Sequence, residues 1–498
     1  MDRLLLDRPA SLAADMPLKS RPSRGPFRPE IWLNARERSS VRLSAHYFRL
    51  IDVLMVCGLA LGAIVVMHPS GLAHITVGDA APVVVGAVLV LVLMRALQLY
   101  RFGRDTPWPL HIAGVAGVGV ASAGVALALG WLMDRPALDF IAPWALTTTS
   151  GLIMLHGLWL AMIVRWRRLG VLSPNIVIVG ATRNARRLIE QTLERRDMNV
   201  LGVFDDRLAR SPDSVAGVPV LGDAKALLTH RLTPYVDRIV LAIDPEAGQR
   251  VRDLTQTLNA LPNPLTVLVD SELGRDGLLN RLANAPLASL DGPANPDRRA
   301  FNKRMQDLVI GAAALVVAAP IMALVALAVK LDSPGPVFFR QRRHGFNHET
   351  IVVWKFRSMR HAAADATASR QICADDDRVT RVGRFIRATS LDELPQIFNV
   401  LSGEMSLVGP RPHAIGMKTG ETESALLVAE YAHRHRIKPG MTGWAAIKGS
   451  RGPVDTEAQV RERVQLDIEY IERQSFWLDL WVIAVTIPVL LGDRAAVR

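Results

Sequence analysis

Apolar residues are gathered along this chain in long runs. Four of them, at 48–67, 81–99, 110–133 and 141–164, come near or exceed the roughly 20 residues that cross a bilayer core. They predict a bundle of four transmembrane helices over 48–168, and small residues such as Gly114, Gly117, Gly119 and Gly124 suit close packing there. Four helices buried in a globular protein are the alternative. Basic residues crowd alternate ends: Arg36, Arg38, Arg42 and Arg49 before the first run, Arg101 and Arg104 in the second loop, Arg165, Arg167 and Arg168 at the exit. The first loop has none and the third only Arg135, so both ends of the bundle belong in the cytoplasm. No paired charges stand inside the runs, which argues against a transporter; Arg95 lies near a helix end and can snorkel.

From 174 to 290 the pattern shortens to β-rich runs at 176–180, 218–221, 238–243 and 265–269, separated by helical segments. This is a Rossmann-like α/β module. Its dinucleotide fingerprint is incomplete, because the stretch Gly180-Ala-Thr-Arg-Asn-Ala-Arg186 keeps one glycine where three let backbone approach a pyrophosphate. Asp205 stands at the distance of a ribose contact, and a bound nucleotide and a structural or regulatory role both remain open. Asn263-Pro264 reads as a turn and the polar run 291–299 as a linker.

A further apolar stretch, 308–331, contains Pro320. Arg298, Arg299, Lys303 and Arg304 precede it; Lys330, Arg340, Arg342 and Arg343 follow. A straight span would place one basic cluster outside, whereas a helix broken at Pro320 that enters one leaflet and returns keeps both inside. The last apolar run, 476–491, carries Trp477 and Trp481 at headgroup level and Pro488 against a straight span, so it reads as interfacial.

Composition adds three points. Half of the 498 residues are hydrophobic, as an integral membrane portion requires. The formal charge of +12 accompanies apolar segments, so an anionic leaflet and anionic substrates explain it better than nucleic acid. Cys57 and Cys373 are the only cysteines and give no disulfide framework. Residues 1–47 are basic and lack a signal core; they read as a disordered cytoplasmic tail.

The candidate chemistry lies in 387–412, where Asp392 and Glu393 stand between Arg387 and a Gly-Pro-Arg-Pro turn. Ser390 with Glu393 matches a capping box, and Pro395 belongs to a first turn, so a helix is expected to begin between Ser390 and Asp392. Its positive end favours ionised carboxylates and phosphate. Helical neighbours point about 100° apart, which gives the acids separate jobs: one nucleophile, one holding a divalent metal. First-turn caps or solvated charges are the plainer alternative. Residues 351–359 alternate like a strand, placing Lys355 and Arg357 on one side, where two cations suit a diphosphate or simply face solvent. The acidic run 375–377 lies in a polar loop and is assigned to solvent.

In order, Asp392-Glu-Leu-Pro-Gln396, Gly409-Pro-Arg-Pro412 and Lys438-Pro-Gly-Met-Thr-Gly-Trp444 resemble the catalytic domain of the bacterial polyprenyl-phosphate hexose-1-phosphate transferases, the monotopic phosphoglycosyl transferases. The resemblance runs from about 301 to 491, and the whole chain is similar to the family's larger members. It implies a mainly α, α+β monotopic catalytic domain over 301–498, with a re-entrant helix whose frequent Ser-Pro is here Ala319-Pro320. It further implies UDP-hexose as donor, undecaprenyl phosphate as acceptor, a cytoplasm-facing site on the bacterial inner membrane and contact with membrane lipids. Asp392 would be the nucleophile, Glu393 would hold Mg²⁺, and Lys355, Arg387 and Arg411 would neutralise phosphate oxygens. Arg357, and Asp467 in a segment that closes over the nucleotide sugar, would contact the sugar nucleotide or support the site from behind. Glucose is the first expectation for the sugar and galactose the second; a homo-oligomer is left open. The competing class is a non-enzymatic membrane scaffold or nucleotide sensor.

Overall fold

The computed structural model describes residues 33–67, 76–102, 107–134, 137–195, 198–207, 211–243, 248–268, 296–360, 378–419, 422–450, 452 and 454–492. Most of the expected tail, most of the 291–299 linker and the acidic run at 375–377 lie outside them.

The chain opens on a helix, α1 (Ala35–Arg42), within the stretch that reads as a disordered tail. A capping box starts it: Asn34 accepts the Glu37 N–H at 2.8 Å, and Glu37 accepts the Asn34 N–H at 3.1 Å. Its arginines are ordered because they find acids and carbonyls elsewhere. Arg38 is buried, pairs with Asp237 at 2.9 Å and donates to the carbonyls of Val171 and Ser173.

Four long helices follow: α2 (Ser44–Met67), α3 (Val77–Ala96), α4 (Trp108–Leu132) and α5 (Ala142–Arg168). They pack around Val56, Val83, Val90, Met94, Val115 and Leu152, and leave apolar faces such as Leu54, Val88, Val120 and Met154 exposed. Gly119 is where small size matters most among the four named glycines, since a Cβ there would lie 2.4 Å from Thr149. One at Gly114 would press on Leu99 at 3.1 Å, and ones at Gly117 and Gly124 would meet nothing within 4 Å. The bundle interior does hold buried polar side chains that the runs do not advertise. Asp52 bonds to His156 Nε2 at 3.0 Å, and His156 Nδ1 to His111 at 3.0 Å, all three buried. Residues 104 and 45 apart in sequence meet on three helices, so no single run betrays the set.

The α/β module holds a sheet of six strands: β1 (Asn175–Val179), β2 (Asn199–Phe204), β3 (Ser214–Val215), β4 (Val218–Gly222), β5 (Arg238–Leu241) and β6 (Leu265–Val267), in the order 3-4-2-1-5-6. All pairs are parallel except β3 with β4. Helices α6 (Arg183–Arg195), α7 (Ala224–Thr229) and α8 (Gly248–Leu258) accompany it. Strands β1 and β5 are buried throughout, as a parallel sheet covered on both faces demands. Asp205 does not stand open for a ribose: its carboxylate accepts the Ala181 N–H of the glycine loop at 2.7 Å and pairs with Arg250 at 3.0 Å.

The last unit begins with α9 (Pro296–Asp332), one helix of 37 residues with Pro320 inside it, so the proline does not end the helix. Among the described residues five helices, α9 included, are long and apolar enough to cross a membrane by length and composition. After α9 come the antiparallel pair β7 (Phe338–His344) and β8 (Thr350–Phe356), then α10 (Arg381–Ala388), α11 (Gln396–Ser402), β9 (Ser406–Val408), β10 (Gly440–Thr442), α12 (Glu457–Arg473) and α13 (Phe476–Gly492). The β7–β8 turn carries Asn347 with φ +52 and docks on the α/β module. There Asn263 donates to Asn347 at 2.8 Å, and Asn347 donates to the Val236 carbonyl at 3.1 Å. Beside it Glu349 binds Arg36 at 2.9 Å and Asn34 at 2.8 Å. The helix before the bundle, the α/β module and the last unit are thus stitched together at one turn.

Candidate active site

Two backbone crossings build the site. Strands β9 and β10 run parallel, with Gly440 opposite Ser406, and this pairing lays the Gly-Pro-Arg-Pro turn over the Lys438–Trp444 motif. A Cβ on Gly440 would lie 2.1 Å from the Gly409 nitrogen, and one on Gly443 2.3 Å from the Gly409 carbonyl oxygen. The motif glycines are there because main chain touches main chain. On the other side Asn399 of α11 accepts the Trp354 N–H at 3.0 Å and donates to the Val352 carbonyl at 2.7 Å, locking the helix after the acid pair onto β8.

The acid pair is not in the expected helix start. Leu391–Glu393 form a single 3₁₀ turn, and the α-helix begins at Gln396 with Pro395 just before it. Ser390 adopts φ +58 and makes no cap; its hydroxyl has no partner. Glu393 is drawn away from Ser390 by stronger partners. Its Oε1 takes Lys355 at 2.8 Å and Arg411 Nη2 at 2.5 Å, and its Oε2 takes Arg411 Nη1 at 3.2 Å. These charge-assisted bonds outweigh a local cap.

Within this shell the two carboxyls diverge. Burial raises the Asp392 carboxyl above the usual carboxylate range; the charge of Glu393 adds to the rise, and Lys355, Arg387 and Arg411 oppose it. Burial would raise Glu393 too, but Arg411 and Lys355, by charge and hydrogen bond, hold it well below that range. Neighbouring groups whose environments push them apart take different roles, and here the less firmly ionised one is Asp392. Lys355, Arg387, Arg411, Asp392 and Glu393 are therefore brought together.

Glu393 already accepts three hydrogen bonds from Lys355 and Arg411, and its Oε2, with a single bond at 3.2 Å, keeps an acceptor site that a magnesium ion could use. Among the described residues no group of three acidic, histidine or cysteine side chains could hold a metal ion.

The other two expected residues have their partners away from the acid pair. Arg357 follows the last residue of β8, and its buried guanidinium caps the C-terminal end of α9, donating to the carbonyls of Val329 at 3.0 Å, Ser333 at 2.6 Å and Pro334 at 3.1 Å. Asp467 on α12 is buried and pairs with Arg434 at 2.7 Å. Arg434 in turn donates to the Arg411 carbonyl at 2.9 Å, so Asp467 acts on the turn from behind.

Arg343 on β7 joins the site without any motif to announce it. It donates to the Pro412 carbonyl and to Gln341 at 2.7 Å, and burial with the nearby Arg411 lowers its guanidinium to about 10. Two guanidiniums, the buried Arg434 and the half-buried Arg343, thus hold the carbonyls of Arg411 and Pro412. No local pattern marks them.

Comparison with known proteins gives the family. A family model described as bacterial sugar transferase matches residues 298–493, and one described as a CoA-binding domain matches residues 112–266. A UDP-glucose:undecaprenyl-phosphate glucose-1-phosphate transferase of Xanthomonas campestris pv. campestris is 34% identical over 424 residues, which is 82% of this chain and 85% of that protein. An undecaprenyl-phosphate glucose phosphotransferase of Komagataeibacter xylinus is 38% identical over 65% of this chain and 60% of its own length. A UDP-N-acetylgalactosamine-undecaprenyl-phosphate N-acetylgalactosaminephosphotransferase of Aeromonas hydrophila is 39% identical over 40% of this chain and 45% of its own. The extent of the first match, together with the family model laid over the acid pair, shows that the chain belongs to the bacterial sugar transferases and is a sugar-phosphate transferase.

Proposed function

We propose that this protein transfers hexose-1-phosphate, glucose before galactose, from a UDP-sugar to undecaprenyl phosphate, as the first step of an exopolysaccharide. The observation that carries the reading is the divergent carboxyl pair, Asp392 and Glu393, inside one shell of cations. The names of the relatives that match most of the chain favour glucose.

An Asp392 carboxylate oxygen attacks the sugar-proximal phosphorus; the bond from that phosphorus to the bridging oxygen breaks, and UMP leaves with the electron pair. Asp392 then carries the sugar phosphate as an acyl phosphate. An oxygen of the lipid phosphate attacks the same phosphorus, expels the carboxylate and yields undecaprenyl-diphospho-hexose. Arg411 and Lys355, oriented by Glu393, neutralise the oxygens that gain charge, with Arg387 facing Asp392. Magnesium enters this proposal only as counter-ion to the donor's diphosphate, and no step runs through it.

The topology supports four spans and a dipping α9. Asn263, before α9, bonds to Asn347, after it, so both flanks of α9 belong on one side of the membrane. Both ends of α9 are also held by the same unit: Arg304 donates to the Val400 and Leu401 carbonyls, and Asp332 accepts the Val382 N–H. The positive-inside rule makes that side the cytoplasm, where activated sugars are made.

The test is to incubate the full chain in proteoliposomes with UDP-sugars labelled in the sugar, then denature it. Wild type should retain label, with UMP released, and Asp392→Ala should retain none. Label kept by the alanine variant overturns the covalent route.

A further inference from the structure

Six non-glycine residues among those described hold a positive φ, and Ser390 is the one beside the acid pair. It follows α10, whose last residue is Ala388 and whose C-cap is Thr389, at the position where a chain leaving a helix commonly adopts a left-handed conformation. Glycine fills that position at least cost, and a side chain there is retained against strain. The backbone itself is satisfied: the Ser390 N–H donates to the Arg387 carbonyl at 3.1 Å, and the Ser390 carbonyl accepts the Glu393 N–H at 3.2 Å. The hydroxyl is not. Its Oγ is shielded from solvent and bonds to nothing, although it stands two residues from Asp392. A buried hydroxyl without a partner is costly unless something completes it. The expected capping partner, Glu393, is committed to Arg411 and Lys355.

We infer that Ser390 is a further catalytic residue, whose hydroxyl donates a hydrogen bond to a non-bridging oxygen of the phosphoryl group passing through Asp392. This rests on the function proposed above. Ser390 leads directly into the Leu391–Glu393 turn that carries the acid pair, beside cations suited to phosphate oxygens. A neutral donor adds a directed hydrogen bond that point charges do not supply.

The experiment compares wild type with Ser390→Gly and Ser390→Ala, as full chains in proteoliposomes with labelled UDP-glucose. It follows label capture, UMP release and thermal unfolding. Glycine relieves the strain, so Ser390→Gly should unfold at an equal or higher temperature while kcat falls on the order of 10- to 100-fold, the worth of one hydrogen bond to a charged group. KM should change little. Ser390→Ala should lose rate to a similar degree. A Ser390→Gly variant with wild-type kcat overturns the inference, and so does a loss confined to Ser390→Ala, which would make the effect one of backbone strain. Should wild type itself capture no label from any UDP-sugar, the proposed function fails and this inference falls with it. Capture by wild type and by both variants alike sinks only the role of Ser390.

Discussion

Asp392 must be ionised to attack, and its surroundings make ionisation harder than for a free aspartate. Because burial sets its carboxyl above the usual range, transfer should fall away on the acid side at a pH above about 3.9, the ordinary aspartate value. Lys355 is the charge that most opposes this rise, so Lys355→Ala should move the acid limb to higher pH as well as lower the rate. Glu393→Gln removes a negative neighbour and should move it lower. A pH–rate profile of label capture for the three proteins checks both signs; a limb that stays put in both variants excludes Asp392 as the titrating nucleophile. At this scale motifs carry most of what the sequence discloses, because Asp392, Glu393, Lys355 and Arg411 sit in short runs whose residue types already suit phosphate. Ser390 shows the limit. Its spacing to Glu393 satisfies a capping pattern on paper, yet two cations from 38 and 18 residues away take the glutamate.

Elements are shaped by what their ends meet. Strand alternation alone would set Arg357 beside Lys355, but three carbonyls in and just after the last turn of α9, those of Val329, Ser333 and Pro334, take its guanidinium instead. Arg357→Ala should therefore destabilise the protein by about 3 kcal/mol, the scale of losing charged hydrogen bonds and leaving buried carbonyls unpaired. Thermal unfolding in detergent measures it. At a temperature where the variant remains folded, its KM for the UDP-sugar should match wild type; a raised KM with unchanged stability would return Arg357 to the phosphates. Helix α1 shows the same dependence from the other direction. Its own residues contain a capping box, Asn34 to Glu37, but its order depends on Asp237 and Glu349, which lie in the α/β module and the last unit.

The whole molecule hangs on which side of the membrane its parts share. Hydropathy alone makes α9 a fifth span, and long-range contacts argue otherwise: Asn263 with Asn347, and Asn34 with Glu349, are 84 and 315 residues apart. No local pattern in the chain reveals those contacts, whereas the basic clusters flanking 308–331 can be read from the sequence itself. The two topologies separate cleanly. Asp253 precedes α9 and Thr350 follows it, and both are exposed. In a variant without Cys57 and Cys373, single cysteines in place of Asp253 or Thr350 should react with a membrane-impermeant maleimide only in inverted inner-membrane vesicles, and to similar extents. A crossing α9 would label Asp253→Cys from one face and Thr350→Cys from the other. That second outcome would place Asp392 across the membrane from the nucleotide sugars it is proposed to use. It would also require Asn263 and Asn347 to part, so a disulfide formed by Asn263→Cys with Asn347→Cys in intact membranes would independently exclude the crossing.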